Sequence, residues 1–144
     1  MGQTENSIAG ALKQAHVALL ADLRKLEQAV SPFPGKDVTE LHSQLVATLA
    51  HITEHFRFEE QNGYMDTAKT REPRLDRTIR QLAEEHGDLR HSLEAIIRQA
   101  SDASSLGDPL RDEIQEWIRR VRQHERREND LVQDAFNLDI GPED

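Results

Sequence analysis

Two short stretches of this chain carry residues that could do chemistry. In HITEHFRFEE, residues 51–60, His55 and Glu59 stand four residues apart, and HERRE repeats the pair as His124 and Glu128. On an α-helix that spacing puts an imidazole and a carboxylate on one face, one turn apart. Neutral imidazoles with carboxylates form the donor set of a first-row transition-metal site, shared here between two helices. Each pair must then be held on a regular helix, and the helices must face one another.

The apolar spacing predicts four such helices, at about 4–30, 37–62, 73–101 and 108–136. The first line is Leu12, Leu19, Leu23, Leu26 and Val30, with His16 in its gap. The second is Leu41, Leu45, Thr48, Ile52, His55 and Glu59, opened by an Asp37 cap with Glu40 three residues on. The third runs Leu75, Ile79, Leu82, His86, Leu89, Leu93, Ile96 and Ala100, and the fourth Leu110, Ile114, Trp117, Val121, His124, Glu128, Leu131 and Ala135. Steps of 3 and 4 mark the buried stripe of an amphipathic helix. SPFPG at 31–35, Gly63 and the Ser/Asp/Gly run 101–107 punctuate them, Asp108 and Pro109 open the last, and the tail NLDIGPED is expected to fray. YMDTAKTRE fits a loop or a helical extension equally well. The expected architecture is an all-α, up-down-up-down antiparallel four-helix bundle in one domain spanning 1–144.

His16, His55, Glu59, His86, His124 and Glu128 are the ionisable residues on these inner lines. A bundle core normally excludes charge, because a buried unpaired carboxylate costs several kcal/mol or is forced neutral. Counted along the helices, His16 is about 14 residues before the first turn and His55 about 18 after the second helix begins, within about a turn of equal height. His86 and His124 match in the same way, so one layer can hold all six. Glu59 and Glu128 can each span two ions, and each ion then has two histidines and open positions. His51, one turn before His55, is a candidate additional ligand. Glu54, Glu60, Glu85 and Glu125 adjoin the proposed ligands and suit either an imidazole-orienting role or, more simply, a solvated face. Tyr64 could reach the mouth of the site, but nothing in the spacing assigns it there.

Composition sets the outer bounds. The 144 residues contain no cysteine, which excludes disulfides and iron–sulfur clusters. The net charge of −9 argues against general nucleic-acid binding. Arg119, Arg120, Arg122, Arg126 and Arg127 read best as a solvated face paired with the many acids. No apolar run approaches about 18 residues, so no membrane span is expected. MGQTENSIAG lacks the basic and apolar regions of a secretory signal, and a cytoplasmic location is expected.

His16, the HFRFEE motif at 55–60, the EH dipeptide at 85–86 and HERREN at 124–129 together resemble the hemerythrin-like, or HHE cation-binding, family over about Ser7 to Phe136. The resemblance implies two iron ions in the bundle core. His16 and His55 would serve one iron, His86 and His124 the other, and Glu59 and Glu128 would bridge, with an oxo or hydroxo group between the irons. It implies a small-molecule partner, O2, H2O2 or NO, and names no protein partner. Ferritin-like bundles, by contrast, place a carboxylate three residues before its histidine. The chain also departs from the oxygen-carrying members: Arg90 stands where they have a further histidine, and Glu128 lies four residues after His124 where they have an Asp five after, with Asn at 129. One iron then has one nitrogen fewer. That implies the branch linked to peroxide or NO chemistry (a catalase-like oxidoreductase, if an enzyme) or, alternatively, a non-enzymatic iron or oxygen sensor.

Overall fold

A computed structural model describes residues 2–30, 38–61, 64–103 and 107–136, with side chains from Gly10 onward. Nearly all of these residues are helical and none of them forms a strand. Four long helices, α1 (Gly2–Ala29), α2 (Val38–Gln61), α4 (Asp76–Asp102) and α5 (Asp108–Phe136), are joined by a short helix α3 (Tyr64–Arg71) and a 3-10 turn (Pro73–Leu75). α1 packs on α2, α2 on α4, α4 on α5, and α5 back on α1. That ring encloses a common core, consistent with a four-helix bundle. None of the described helices is long and apolar enough to cross a membrane.

Every residue of the four inner lines is buried. The stretch that fitted a loop or a helix is α3, whose Tyr64, Met65 and Ala68 pack beneath the ends of α1, α4 and α5. Pro73 opens the 3-10 turn, and α4 begins directly behind it at Asp76, with no side-chain cap. The α5 start at Asp108 matches the Asp-Pro signal. The expected Asp37 cap, the SPFPG break, the Gly63 stop and the frayed tail lie outside the described residues, as do 104–106 of the expected 101–107 turn, whose first two residues, Ser101 and Asp102, are the end of α4.

The core has two apolar clusters. One joins Leu19, Leu23, Leu26, Leu45, Ile52, Leu93, Ile96, Ile114, Trp117 and their neighbours. The other joins Leu12, Tyr64, Met65, Leu75, Leu82, Leu131 and Phe136 with theirs. Trp117 crosses from α5 to α4, its indole Nε1–H donating to the Leu89 carbonyl at 2.9 Å. This gives a large buried ring the polar partner it needs and sets the two helices in register. The positions between the clusters are occupied by the ionisable layer.

Candidate metal centre

All six inner-line residues meet in that layer. His16 comes from α1, His55 and Glu59 from α2, His86 from α4, and His124 and Glu128 from α5. The i, i+4 pairs form as expected, with His55 Nε2 3.1 Å from Glu59 Oε2 and His124 Nε2 3.3 Å from Glu128 Oε2. Each glutamate divides its two oxygens between two histidine pairs. Glu59 turns Oε2 to His16 and His55, and Oε1 to His86 at 3.1 Å. Glu128 turns Oε1 to His16 at 3.9 Å, and Oε2 to His86 and His124 at 3.4 and 3.3 Å.

The donor atoms fall into two groups, each within 4.8 Å of one another: His16, His55, Glu59, Glu125 and Glu128; and Glu59, His86, His124 and Glu128. Many of these atoms are buried yet make no hydrogen bond, among them His16 Nε2, His124 Nε2, both oxygens of Glu59 and Glu128 Oε1. They are close, but they do not point at one another as hydrogen-bonding partners do. Buried polar atoms are rarely left this way. A cation at the point on which nitrogens and oxygens converge satisfies them together, and imidazole with carboxylate suits iron and its neighbours. The residues therefore fit a metal, and the buried His/Glu cluster is able to hold one.

The electrostatics agree. Burial alone would push each imidazole down, but the carboxylates outweigh it. The Glu125 and Glu59 contacts bring His16 up to about 10, Glu128 and Glu59 bring His86 to about 10, and Glu128 chiefly brings His124 to about 9. His55 is raised well above its ordinary range by Glu59 and Glu125. Burial would raise the Glu128 carboxyl, yet His124 and His86 hold it well below the ordinary carboxylate range. Without metal, protons take the place of cations as counter-charge.

Supporting groups surround the layer. The outer Nδ1 of His86 meets Glu60 Oε2, and that of His124 meets Glu85 Oε1 at 2.8 Å. A carboxylate on Nδ1 fixes the ring so that Nε2 faces the carboxylates of the cluster. Two of the four flanking glutamates thus orient imidazoles, whereas Glu54 pairs with Arg57 at the surface. Tyr64 does reach the site: its hydroxyl donates to Glu128 Oε2 at 2.9 Å. Burial, and then the nearby Glu128 charge, push that phenol well up, so it stays a protonated donor. Phe56 stacks on His86, centroids 3.9 Å apart and planes 9° apart, and meets His124 edge-on. A groove of 630 Å³ between α1 and α2, lined by Ala15, Ala18, Asp22 and Phe58, has His55 in its wall. A second groove of 320 Å³, between α4 and α5, abuts His124.

Two expectations change. His51 is not drawn into the cluster; its side chain is 61% exposed and pairs through Nδ1 with Asp22 Oδ2 at 2.8 Å. The roughly 40° between its face and that of His55 is enough to turn it outward. Glu125 is not on a solvated face but is 1% exposed, inside the cluster. It lies one residue off the inner line of α5, on a second line of Ile118, Glu125, Asn129, Val132 and Phe136 that is also buried. Those steps of 7, 4, 3 and 4 are present in the sequence and mark a broader buried face. The arginines of α5 are paired as expected, Arg119 with Glu116, Arg122 with Glu27 and Arg127 with Glu85. Arg90, in place of a further histidine, is only half-buried.

No solved structure matches this chain. The family model for the hemerythrin HHE cation binding domain matches residues 7–136, a span that includes every residue of the layer. The chain belongs to the hemerythrin HHE cation-binding domain family.

Proposed function

We propose that this chain is a single-domain, up-down-up-down non-haem di-iron protein that binds or reacts with a small oxidant, O2, peroxide or NO. The observation that carries this reading is the division of Glu59 and Glu128, each offering one oxygen to each histidine pair. Such carboxylates bridge two ions. His16 and His55 hold one iron, His86 and His124 the other. Bound iron supplies one-electron redox change and exchangeable coordination positions. The chain's own residues do the rest. Glu60 and Glu85 hold the His86 and His124 rings at Nδ1, Phe56 keeps water from one side, and Tyr64 offers a proton donor beside Glu128.

Metal content and an optical spectrum of protein grown with added iron, before and after peroxide, test the reading. About two irons per chain and a charge-transfer band that responds to peroxide are expected; decay of peroxide over many turnovers would make it an enzyme. His55→Ala should abolish loading, and stoichiometric iron in that variant would refute the site. The alternative, an iron or oxygen sensor, is favoured by one observation: the layer separates two apolar clusters, so metal loss would loosen the fold. An unchanged melting temperature without metal would count against it.

A further inference from the structure

The two histidine pairs share a plan but differ in what flanks them. On α2 the motif is His55-Phe56-x-x-Glu59; on α5 it is His124-Glu125-x-x-Glu128. In each motif the second residue lies about 100° around the helix from the histidine, and the final glutamate falls between the two. The glutamate therefore reaches both histidine pairs, and the second residue reaches the pair opposite its own histidine. Phe56, on the helix of His55, lies on His86 and against His124. Glu125, on the helix of His124, puts Oε1 2.9 Å from His16 Nε2 and 3.2 Å from His55 Nε2. One side of the layer thus has a phenyl ring where the other has a carboxylate.

Glu125 is the third carboxylate in a layer that already holds Glu59 and Glu128. Its Oε2 is buried without a hydrogen-bond partner. Three carboxylates so placed need positive charge among them, which a metal supplies once the imidazoles are neutral ligands. We propose that Glu125 is a terminal ligand of the His16/His55 metal, making the two metals inequivalent and leaving the exchangeable position on the His86/His124 metal. The first group of converging donors has five residues and the second four, so the second metal would have the fewer protein ligands. A small exogenous anion would then bind at the second, beside the Phe56 ring and the Tyr64 hydroxyl. This rests on the di-iron reading and adds to it which iron reacts.

The test uses the full chain, wild type and Glu125→Ala, loaded with ⁵⁷Fe. Iron content, Mössbauer spectra and azide titration are measured. Wild type should show two doublets of equal area and bind one azide. In Glu125→Ala one doublet should keep its parameters while the other shifts or disappears. A second azide should bind if the iron is kept, and added acetate should restore the original doublet. Glu125→Gln, which keeps the volume, decides the matter if the alanine variant fails to fold: it should shift the same doublet alone. Two irons in a wild type whose doublets and azide count are unchanged by either substitution would overturn the role of Glu125 and leave the di-iron reading intact. Two equivalent irons in the wild type would do the same. A wild type that does not take up two irons would overturn the di-iron reading itself, and this inference with it.

Discussion

Metal uptake by this chain should release about four protons near pH 7.5. In the metal-free layer His16 and His86 are held up to about 10 and His124 to about 9, with His55 also well above its ordinary value. All four rings are then imidazolium at that pH, whereas a ligating imidazole must be neutral. The constant for binding two ions should fall about 10⁴-fold for each pH unit below the raised values. Calorimetric titration of the metal-free chain with anaerobic iron(II) or cobalt(II), in buffers of different ionisation heat, counts the protons directly. Stability should follow a different course with pH in the two forms. Without metal, the histidine contribution is fully present below the ordinary value of 6.5 and is lost as pH rises through about 9 to 10. Glu128 adds stability that is present above its ordinary 4.5 and lost as pH falls through its depressed value. With metal, the folded rings carry no proton while the unfolded ones do below about 6.5, so stability should rise with pH up to about 6.5 and level off above it, over the interval in which the metal-free form weakens. Release of one proton or fewer would refute the account, because the histidines would then be neutral before metal arrives.

Three substitutions give further checks. His51→Ala should leave the metal stoichiometry unchanged, since His51 faces solvent and pairs with Asp22; loss of a metal would restore His51 as a ligand. Tyr64→Phe should destabilise the metal-free chain by about 2 kcal/mol in denaturant unfolding, the usual worth of a buried hydrogen bond to a charged group. Gly87→Ala should stabilise the metal-free chain by about 1 kcal/mol, because Gly87 is inside α4 and an added Cβ meets nothing within 4 Å.

The inner lines were legible because a buried stripe on a long helix repeats every 3 to 4 residues, and a histidine or glutamate that keeps the rhythm is marked by its position. Glu59 shows this: no local property separates it from Glu60, yet the stripe does, and it is buried while Glu60 is half-exposed. The same rule hid Glu125, because a single stripe was assumed for α5 where two adjacent ones are buried. It also hid Asp22, a buried acid whose partner His51 comes from α2. α3 was illegible for a different reason. Eight residues contain barely two turns, too few for a period, and Tyr64, Met65 and Ala68 are held by packing against α1, α4 and α5 rather than by their own pattern.

The position of the layer has a consequence for how the bundle opens. The cluster around Leu45, Leu93 and Ile114 is the larger; the one around Tyr64, Leu82 and Leu131 includes the short helix α3. Between them, in the metal-free chain, stand imidazolium–carboxylate contacts, several of which lack hydrogen-bond alignment. Apolar contact is thus interrupted at the layer, and the smaller end can open without disrupting the larger. Hydrogen exchange should show amides of α3 and of Leu131–Ala135 exchanging through an opening of lower free energy than amides near Leu93 and Ile114. A metal held by residues of α1, α2, α4 and α5 at once would forbid that partial opening. At a free metal concentration of about 1,000 times Kd, loading should raise the opening free energy of the smaller end by up to about 4 kcal/mol, toward that of the whole fold. Equal protection at both ends before metal is added would refute the division. Protection confined to the layer itself after loading would show that the metal does not join the two clusters.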